Sequence, residues 1–271
     1  MEQWINLAYL ISSICFIMGL KMLSSPRTAR YGNLVGAFGM LLAVVVTLKD
    51  QQVLSFQAIA VGLVIGTVIG AFMAIRVEMT SMPEMVAILN GFGGAASTFV
   101  AGSAYMGAFS TPASEPQSMQ WIVALFLSLF IGAITFTGSM VAFGKLKGLL
   151  GDAASAFAGQ RPIMLLLLLG CLYGGYEIVS TQAGSEMEII VMVIGASFLG
   201  VFLVNGIGGA DMPVVIALLN SYSGLAAAMT GFVLSNNMLI ICGSLVGASG
   251  LILTKIMCKA MNRSLANVLF G

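Results

Sequence analysis

The sequence has no histidine and very few charged residues. Only 8% of its 271 residues are charged, whereas an average soluble domain is about one quarter charged. Without histidine the chain has no imidazole to act as a base, a metal ligand or a proton relay. Its 11 basic and 10 acidic residues nearly cancel, so no basic field for nucleic acid exists. These shortages argue against a soluble enzyme and against a nucleic-acid-binding protein.

Cysteine is also scarce, and its spacing excludes the common metal motifs. The four cysteines, at positions 15, 171, 242 and 258, are far apart and lie in apolar stretches. Structural zinc sites place cysteines in closely spaced pairs. We therefore expect four small buried side chains and no metal site.

Apolar residues are abundant, at 59% of the chain with a mean hydropathy of +1.04. A membrane-spanning helix needs about 20 mainly apolar residues. The sequence contains nine such stretches, which predict an all-α integral membrane protein that crosses the bilayer about nine times. They cover residues 4–23, 33–48, 54–75, 83–108, 120–144, 162–179, 187–204, 212–234 and 238–259.

The basic residues predict the orientation of these spans. Ten of the 11 basic residues fall on one set of loops and ends, and only Lys49 falls on the other. Because cytoplasmic loops are enriched in Lys and Arg, nine spans with this bias place the N-terminus outside and the C-terminus in the cytoplasm. Residues 1–271 then form a single transmembrane domain without a soluble domain of its own.

A sequence repeat divides this domain. Residues 82–96 (MPEMVAILNGFGGAA) resemble residues 212–226 (MPVVIALLNSYSGLA) at an offset of 130. Downstream, Ser139 and Lys145 match Ser249 and Lys255 at an offset of 110. The repeat predicts one extra span followed by two parallel sets of four, at about 33–148 and 162–259. Chance similarity between apolar segments is the alternative.

Two asparagines stand at equivalent places in the repeat. Asn90 and Asn220 each follow a proline by seven residues and lie near the middle of a span. A carboxamide in hydrocarbon must bond to another helix or to water. The pair therefore serves either as interhelical hydrogen bonds or as the lining of a water-filled path. An amide cannot hold an excess proton, so a proton path would also need water or a titratable group from elsewhere.

Acidic residues mark the starts of the two repeated spans. Asp211 directly precedes Met-Pro, where an N-cap carboxylate belongs, and Glu84 lies in the first turn of its span. Helix capping is one interpretation, and a gate at the cytoplasmic mouth is the other. Arg76, just before the fourth span, is a further candidate for this gate.

Small polar positions lie near the basic ends of two other spans. Ser139 and Ser249 precede these ends by about two helical turns, and Gly250 adjoins Ser249. Hydroxyls in spans usually bond back to their own helix. They would matter for a path only if they face the two asparagines, and Gly250 provides either close packing or a hinge.

Three segments together carry a family resemblance: SSPRTARYGN at 24–33, MPEMVAILNGFGGAAS at 82–97, and the long segment from GGADMPVV to VGASG at 208–250. They resemble the membrane domain of the beta subunit of proton-translocating NAD(P) transhydrogenase, over essentially the whole chain. The resemblance implies that hydride transfer between NADH and NADP⁺ is coupled to proton flow into the cytoplasm across the inner (plasma) membrane.

The resemblance also implies cofactors and partners. NAD(H) binds to the alpha subunit, and NADP(H) binds to a beta-subunit domain that follows the membrane domain and is absent from this chain. No cofactor is expected on the chain itself. The expected assembly is a dimer of alpha–beta units, in which additional alpha-subunit helices pack against these spans.

Individual residues acquire expected roles from the same resemblance. Asn220 matches a channel asparagine, and Ser139, Asp211, Ser249 and Gly250 match positions linked to proton movement or signalling. Lys255 and Arg263 fall in the basic region that faces the NADP(H) domain.

Asn90 departs from the family pattern, because many members carry a proton-binding histidine there. Either an alpha-subunit helix supplies the titratable group or the path is water alone, and we favour the first. Two other classes of protein fit the spans: a small-solute or ion transporter with parallel repeats, and a structural anchor for soluble subunits.

Overall fold

The computed structural model describes residues 2–50, 56–109, 117–151, 156–181 and 186–270, and helices joined by turns make up these ranges. In these ranges nine helices are long and apolar enough to cross a membrane, which confirms the predicted fold class. The helices are α1 (Glu2–Leu23), α2 (Ala29–Asp50), α3 (Phe56–Arg76), α4 (Met82–Phe109), α5 (Met119–Leu146), α6 (Gln160–Thr181), α7 (Glu186–Asn205), α8 (Met212–Val233), α9 (Asn237–Ala260) and the short α10 (Leu265–Phe270).

The helix ends extend beyond the apolar stretches. The second helix begins at Ala29, four residues before its predicted start at position 33. The helical hydrogen bonding already starts there, since the backbone carbonyl of Thr28 accepts the Gly32 N–H at 2.9 Å. Hydropathy locates apolar length, whereas backbone hydrogen bonding continues through the polar ends of a helix. The six-residue α10 was too short to be predicted.

Residues 1–82 form the first of two compact units. In it α1 and α2 pack as an antiparallel pair with close backbone approach, because a Cβ at Gly32 would lie 2.8 Å from the Gly19 carbonyl oxygen. The hydroxyl of Ser12 donates to the carbonyl of Gly39 at 2.5 Å. The third helix, α3, completes this unit.

Residues 83–271 form the second unit, which has α5 and α8 as its most buried helices. One face of α5 packs against α7 and another against α8, and α8 also packs against α9. Apolar side chains fill two cores, one around Leu125 and Leu199 and the other around Val204, Met212 and Leu219. This unit holds all the predicted site residues except Arg76.

The two repeated helices begin in the same way. A three-residue 3₁₀ turn precedes each, at Met79–Ser81 before α4 and at Gly209–Asp211 before α8. The residue before each turn is extended, with ψ of 156° at both Glu78 and Gly208. A proline follows in the first turn of each helix, where its missing N–H costs no hydrogen bond.

The helix pairs α4–α5 and α8–α9 also share their packing. A Cβ at Gly94 would lie 2.6 Å from the Gly132 carbonyl oxygen, and one at Gly224 would lie 2.8 Å from the Gly243 carbonyl oxygen. Gly224 follows Gly94 by 130 residues, as predicted, but Gly243 follows Gly132 by 111. These shared features support the duplication, which stays a prediction for the complete sets of four spans.

The offset of 111 corrects one assignment made from the sequence. Ser139 contacts Gly91 of α4, and the residue in the same place on α9 is Gly250, which contacts Ser221 of α8. The sequence match had instead paired Ser139 with Ser249. In the first pair the glycine is on α4 and the serine on α5, whereas in the second pair the serine is on α8 and the glycine on α9. An alignment by residue type therefore matches Ser139 to Ser249, one position away from its true counterpart.

Candidate functional site

Buried polar side chains run along the packed faces of α4, α5 and α8, and we call this set the polar column. Each side chain is at most 6% exposed, although the surrounding residues are mainly apolar. Polar groups in such surroundings are costly unless they bond to protein or water. The column consists of Asn90, Ser97, Ser128, Thr135, Ser139, Ser221 and Thr230.

At the end of the column nearer the start of α5, two hydroxyls bond to each other and to backbone carbonyls. The hydroxyls of Ser128 and Thr230 lie 2.7 Å apart, which joins α5 to α8. The Ser128 Oγ lies 3.3 Å from the carbonyl oxygen of Ser97 on α4. The Thr230 hydroxyl donates to the carbonyl of Ala226 in its own helix. This part of the column therefore ties three helices together, and the hydroxyls of Ser128 and Thr230 are both bonded.

The two asparagines bond to the same main-chain oxygen, Asn90 through its side chain and Asn220 through its backbone N–H. The side-chain Nδ2 of Asn90 donates to the main-chain oxygen of Ile216 at 3.3 Å. In helix α8 the same oxygen accepts the backbone N–H of Asn220, four residues on. The Asn220 side chain is half-buried and has no hydrogen-bond partner among the described residues. Asn90 thus bonds between helices, whereas Asn220 has an open amide.

Ser139 lies on α5 beside this pair of helices. A Cβ at Gly91, next to Asn90, would lie 3.2 Å from the Ser139 Cβ. The Ser139 side chain is fully buried, and its Oγ has no hydrogen-bond partner among the described residues. An unpartnered buried hydroxyl is costly unless water completes it.

Ser249 and Gly250, adjacent in α9, lie on different faces of that helix. Gly250 is buried, and a Cβ there would lie 2.6 Å from the backbone nitrogen of Ser221. Ser249 is exposed and donates to the carbonyl of Val246 in its own helix at 2.9 Å. Gly250 therefore packs beside the polar column, and Ser249 does not face it.

Two ion pairs close the basic end of this unit. Glu84 in the first turn of α4 lies 3.2 Å from Lys147 Nζ, just after α5. Asp211, before α8, lies 3.5 Å from Arg263 Nε, just after α9. Each pair joins the start of a repeated helix to the end of the helix that follows it.

Asp211 does not cap its helix. It occupies the N-cap position, but its side chain makes no capping hydrogen bond. Its buried Oδ1 instead faces Arg263 at a distance too long for a strong hydrogen bond. The capping interpretation was therefore wrong for Asp211, because a cation 52 residues away in sequence attracts the carboxylate.

Arg76 and Lys255 stand apart from these pairs. Both side chains are exposed. Arg76 lies in the first unit, where its guanidinium stacks over the Phe72 ring at 5.3 Å. Lys255 lies in the last two turns of α9, near its basic end.

The structure adds one residue that sequence reasoning missed. Lys145, near the end of α5, is fully buried, and its Nζ donates to the carbonyls of Asn205 at 2.6 Å and Ile207 at 2.7 Å. From its position the sequence indicated an ordinary interfacial lysine. No sequence signal distinguished it from the other lysines at the basic end.

The chemistry available at this site is limited to hydrogen bonding and charge. In the described part of the chain no group of three or more His, Cys, Asp or Glu side chains could hold a metal ion. The column itself offers hydroxyls and amides, which orient water and pass hydrogen bonds. The class of protein that these features define is a multi-pass helical membrane protein with buried polar side chains between its helices and ion pairs at one end.

Comparisons with known proteins identify the family. The model of the family described as NAD(P) transhydrogenase beta subunit matches residues 5–271. The chain is 42% identical over 266 residues to NAD(P) transhydrogenase subunit beta of Rhodospirillum rubrum, with the same values for the protein of strain ATCC 11170. The alignment covers 97% of this chain and 57% of each relative. The chain therefore belongs to the NAD(P) transhydrogenase beta subunit family and spans little more than half the length of those relatives.

Proposed function

We propose that this chain is the proton-translocating membrane part of an NAD(P) transhydrogenase. It couples transmembrane proton flow to hydride transfer between NADH and NADP⁺, which takes place on soluble domains outside residues 1–271. One observation carries this proposal: two open hydrogen-bonding groups lie near the place where Asn90 of α4 bonds to Ile216 of α8. They are Ser139 Oγ, which lies against Gly91, and the half-buried amide of Asn220, one helical turn after Ile216.

These open groups support a water path better than a purely structural role. Structural hydroxyls in this chain bond to carbonyls, as Ser221 does to Gly247 at 2.8 Å. Ser139 and Asn220 keep their capacity for water, which needs two to four polar partners in a buried place. In our proposal water joins them, and the charges of Asp211 and Glu84 form the inner mouth.

An amide and a hydroxyl cannot hold the transit proton as a charge. The Asn90 amide donates to the main-chain oxygen of Ile216, and an amide does not titrate. We therefore propose that an alpha-subunit helix supplies the proton-binding group next to Asn90. A path of water alone is the alternative, and it would leave the proton without a charged resting site.

The remaining parts of the enzyme belong to other polypeptide segments. We propose that NAD(H) binds to the alpha subunit and that NADP(H) binds to a beta-subunit domain beyond residue 271. The exposed Lys255 and Arg263 at the basic end face that domain. The assembly is a dimer of alpha–beta units in the inner (plasma) membrane, with the basic side in the cytoplasm.

The experiment tests Asn220→Leu in the intact complex, reconstituted in proteoliposomes. Hydride transfer from NADPH to an NAD⁺ analogue drives proton uptake, and both rates are recorded. We expect Asn220→Leu to lose proton uptake while both nucleotides still bind. The matched control is Asn33→Leu, which removes an exposed amide from α2 and should leave the rate unchanged.

Other outcomes identify the competing functions. If Asn220→Leu pumps at the wild-type rate, the path does not pass Asn220 and the chain is an anchor or a coupling surface. Solute flux through the chain without nucleotides would favour a transporter with parallel repeats.

A further inference from the structure

A buried ammonium group joins α5 to the connection between α7 and α8. Lys145 is fully buried, in the last turn of α5. Its Nζ donates to the carbonyl of Asn205, the last residue of α7, and to that of Ile207, the second residue after it. A charge removed from water is costly unless its hydrogen bonds are made, so this arrangement needs a specific reason.

The end of α7 supplies that reason. The last carbonyls of a helix have no intrahelical partner and carry a partial negative charge. The Lys145 ammonium satisfies two carbonyls in this region at 2.6 and 2.7 Å, which are short distances typical of charged hydrogen bonds. The ammonium is therefore stabilised by backbone dipoles, and those dipoles hold the connection against α5.

Besides Lys145, glycines and two buried apolar side chains shape the connection. Two of its residues are Gly206 and Gly208, which restrict the backbone least. The Ile207 side chain is 2% exposed and the Met212 side chain is fully buried, so both ends of the short segment pack into the core. Directly after this segment come the 3₁₀ turn and Asp211. The Ile207 carbonyl that Lys145 holds is thus four residues before the carboxylate of Asp211.

The other half of the chain lacks this device. At the packing offset of 111, the counterpart of Lys145 is Ile256, which is 57% exposed. Lys255, which the sequence match pairs with Lys145, is also exposed. The buried lysine is thus specific to the place where α5 meets the start of α8.

We propose that Lys145 is a positioning residue that sets the α7–α8 connection and, through it, the place of Asp211 at the mouth of the path. Its charge holds the backbone by geometry and does not travel with the proton. The pumping consequence rests on the function proposed above, whereas the structural consequence is independent of it.

The test compares Lys145→Met, Lys145→Gln and Lys145→Arg in the intact alpha–beta complex. Hydrogen–deuterium exchange is measured on the peptide that covers residues 204–211. Three amides in it report on the connection, since the N–H groups of Gly206, Ile207 and Asp211 donate to Phe202, Val204 and Gly208. Proton uptake per hydride transferred is measured in parallel. The control is Lys259→Met, which removes an exposed lysine from the end of α9.

We expect Lys145→Met to speed exchange of this peptide by about tenfold or more, the factor that one lost charged hydrogen bond corresponds to. Protons moved per hydride should fall with it. Lys145→Arg keeps the charge and the donors and should restore both values, and Lys145→Gln should be intermediate. Lys259→Met should match the wild type.

Two results would overturn the proposal. Wild-type exchange in the assembled Lys145→Met complex would show that the lysine does not hold the connection. If Lys145→Met does not assemble, the same conclusion follows from wild-type exchange in Lys145→Gln. The second result is a Lys145→Arg complex with wild-type exchange that no longer pumps. It would show that the titration of Lys145 matters, and not the position that it gives to the connection. A failure of the proposed function would give a different result. Hydrogen–deuterium exchange would still respond to the Lys145 variants, but neither these variants nor Asn220→Leu would change proton uptake.

Discussion

Asn90 donates its side-chain N–H to the main-chain oxygen of Ile216, which joins α4 to α8 at a carbonyl that is already bonded within its own helix. A hydrogen bond to this oxygen stabilises the fold less than a bond to an unpartnered carbonyl would, because the oxygen already has its helical partner. The contact therefore orients Asn90 more than it stabilises the fold.

This relationship predicts a small effect of Asn90→Ala on stability. We expect a loss of about 0.5–1 kcal/mol, the size of interhelical hydrogen bonds measured in membranes. The measurement is the thermal unfolding midpoint of the assembled complex in detergent, with Asn33→Ala as the exposed control. A loss several times larger would mean that Asn90 holds the helices together, as a structural role requires.

The start of α5 gives a second prediction through its tryptophan. Trp121 Nε1 donates to the carbonyl of Val233 at the end of α8 at 3.0 Å. Replacing Trp121 with Phe keeps an aromatic six-membered ring but removes the pyrrole ring with its N–H donor, and it should lower the free energy of unfolding by at least about 1 kcal/mol. Chemical unfolding of the complex measures the change.

Trp4 provides the matched control, because its side chain is 75% exposed. Trp4→Phe should leave stability unchanged within about 0.5 kcal/mol. Equal losses in the two variants would show that the bond to Val233 contributes nothing.

The spans were predictable because apolar length is a local property. A window of about 20 residues contains the signal for a membrane helix, and all nine predicted stretches became helices. The repeated motif was visible because identical residues recur, at Pro83 and Pro213 and at Asn90 and Asn220. These features need no knowledge of which helices are neighbours.

Contacts between residues that are far apart in the chain could not be predicted from the sequence. Asp211 fits an N-cap by position, and only the folded chain brings Arg263 to it. Lys145 fits the interfacial basic cluster, and only packing places it under the end of α7. The exchange of Ser139 for Gly250 shifted the alignment because spatial equivalence depends on helix rotation, which residue identity does not encode.

The close approach of α8 and α9 predicts a strong effect at Gly250. A Cβ there would lie 2.6 Å from the Ser221 nitrogen, and backbone cannot move aside cheaply. Gly250→Ala should therefore destabilise the complex by about 1–3 kcal/mol. The thermal midpoint measures it against Ser249→Ala, whose side chain is exposed. Unchanged stability in Gly250→Ala would mean that the two helices separate without cost.

The ion pair of Glu84 and Lys147 predicts a test by charge exchange. Lys147 is half-exposed, so the pair should contribute no more than about 1 kcal/mol. Glu84→Lys or Lys147→Glu alone places like charges together, and the exchange of both should restore stability. A double-mutant cycle on the unfolding free energy gives the coupling. Zero coupling would show that the two charges act separately.

The exchange of serine and glycine between the helix pairs has a consequence for how the two halves divide their work. In the later half the hydroxyl belongs to Ser221 and is committed to a carbonyl of the partner helix. In the earlier half it belongs to Ser139, opposite a glycine that offers no side chain, and it has no acceptor among the described residues. One helix pair thus uses its serine for a hydrogen bond between helices, and the other leaves its serine hydroxyl able to bond water. The close helix packing is the same in both pairs.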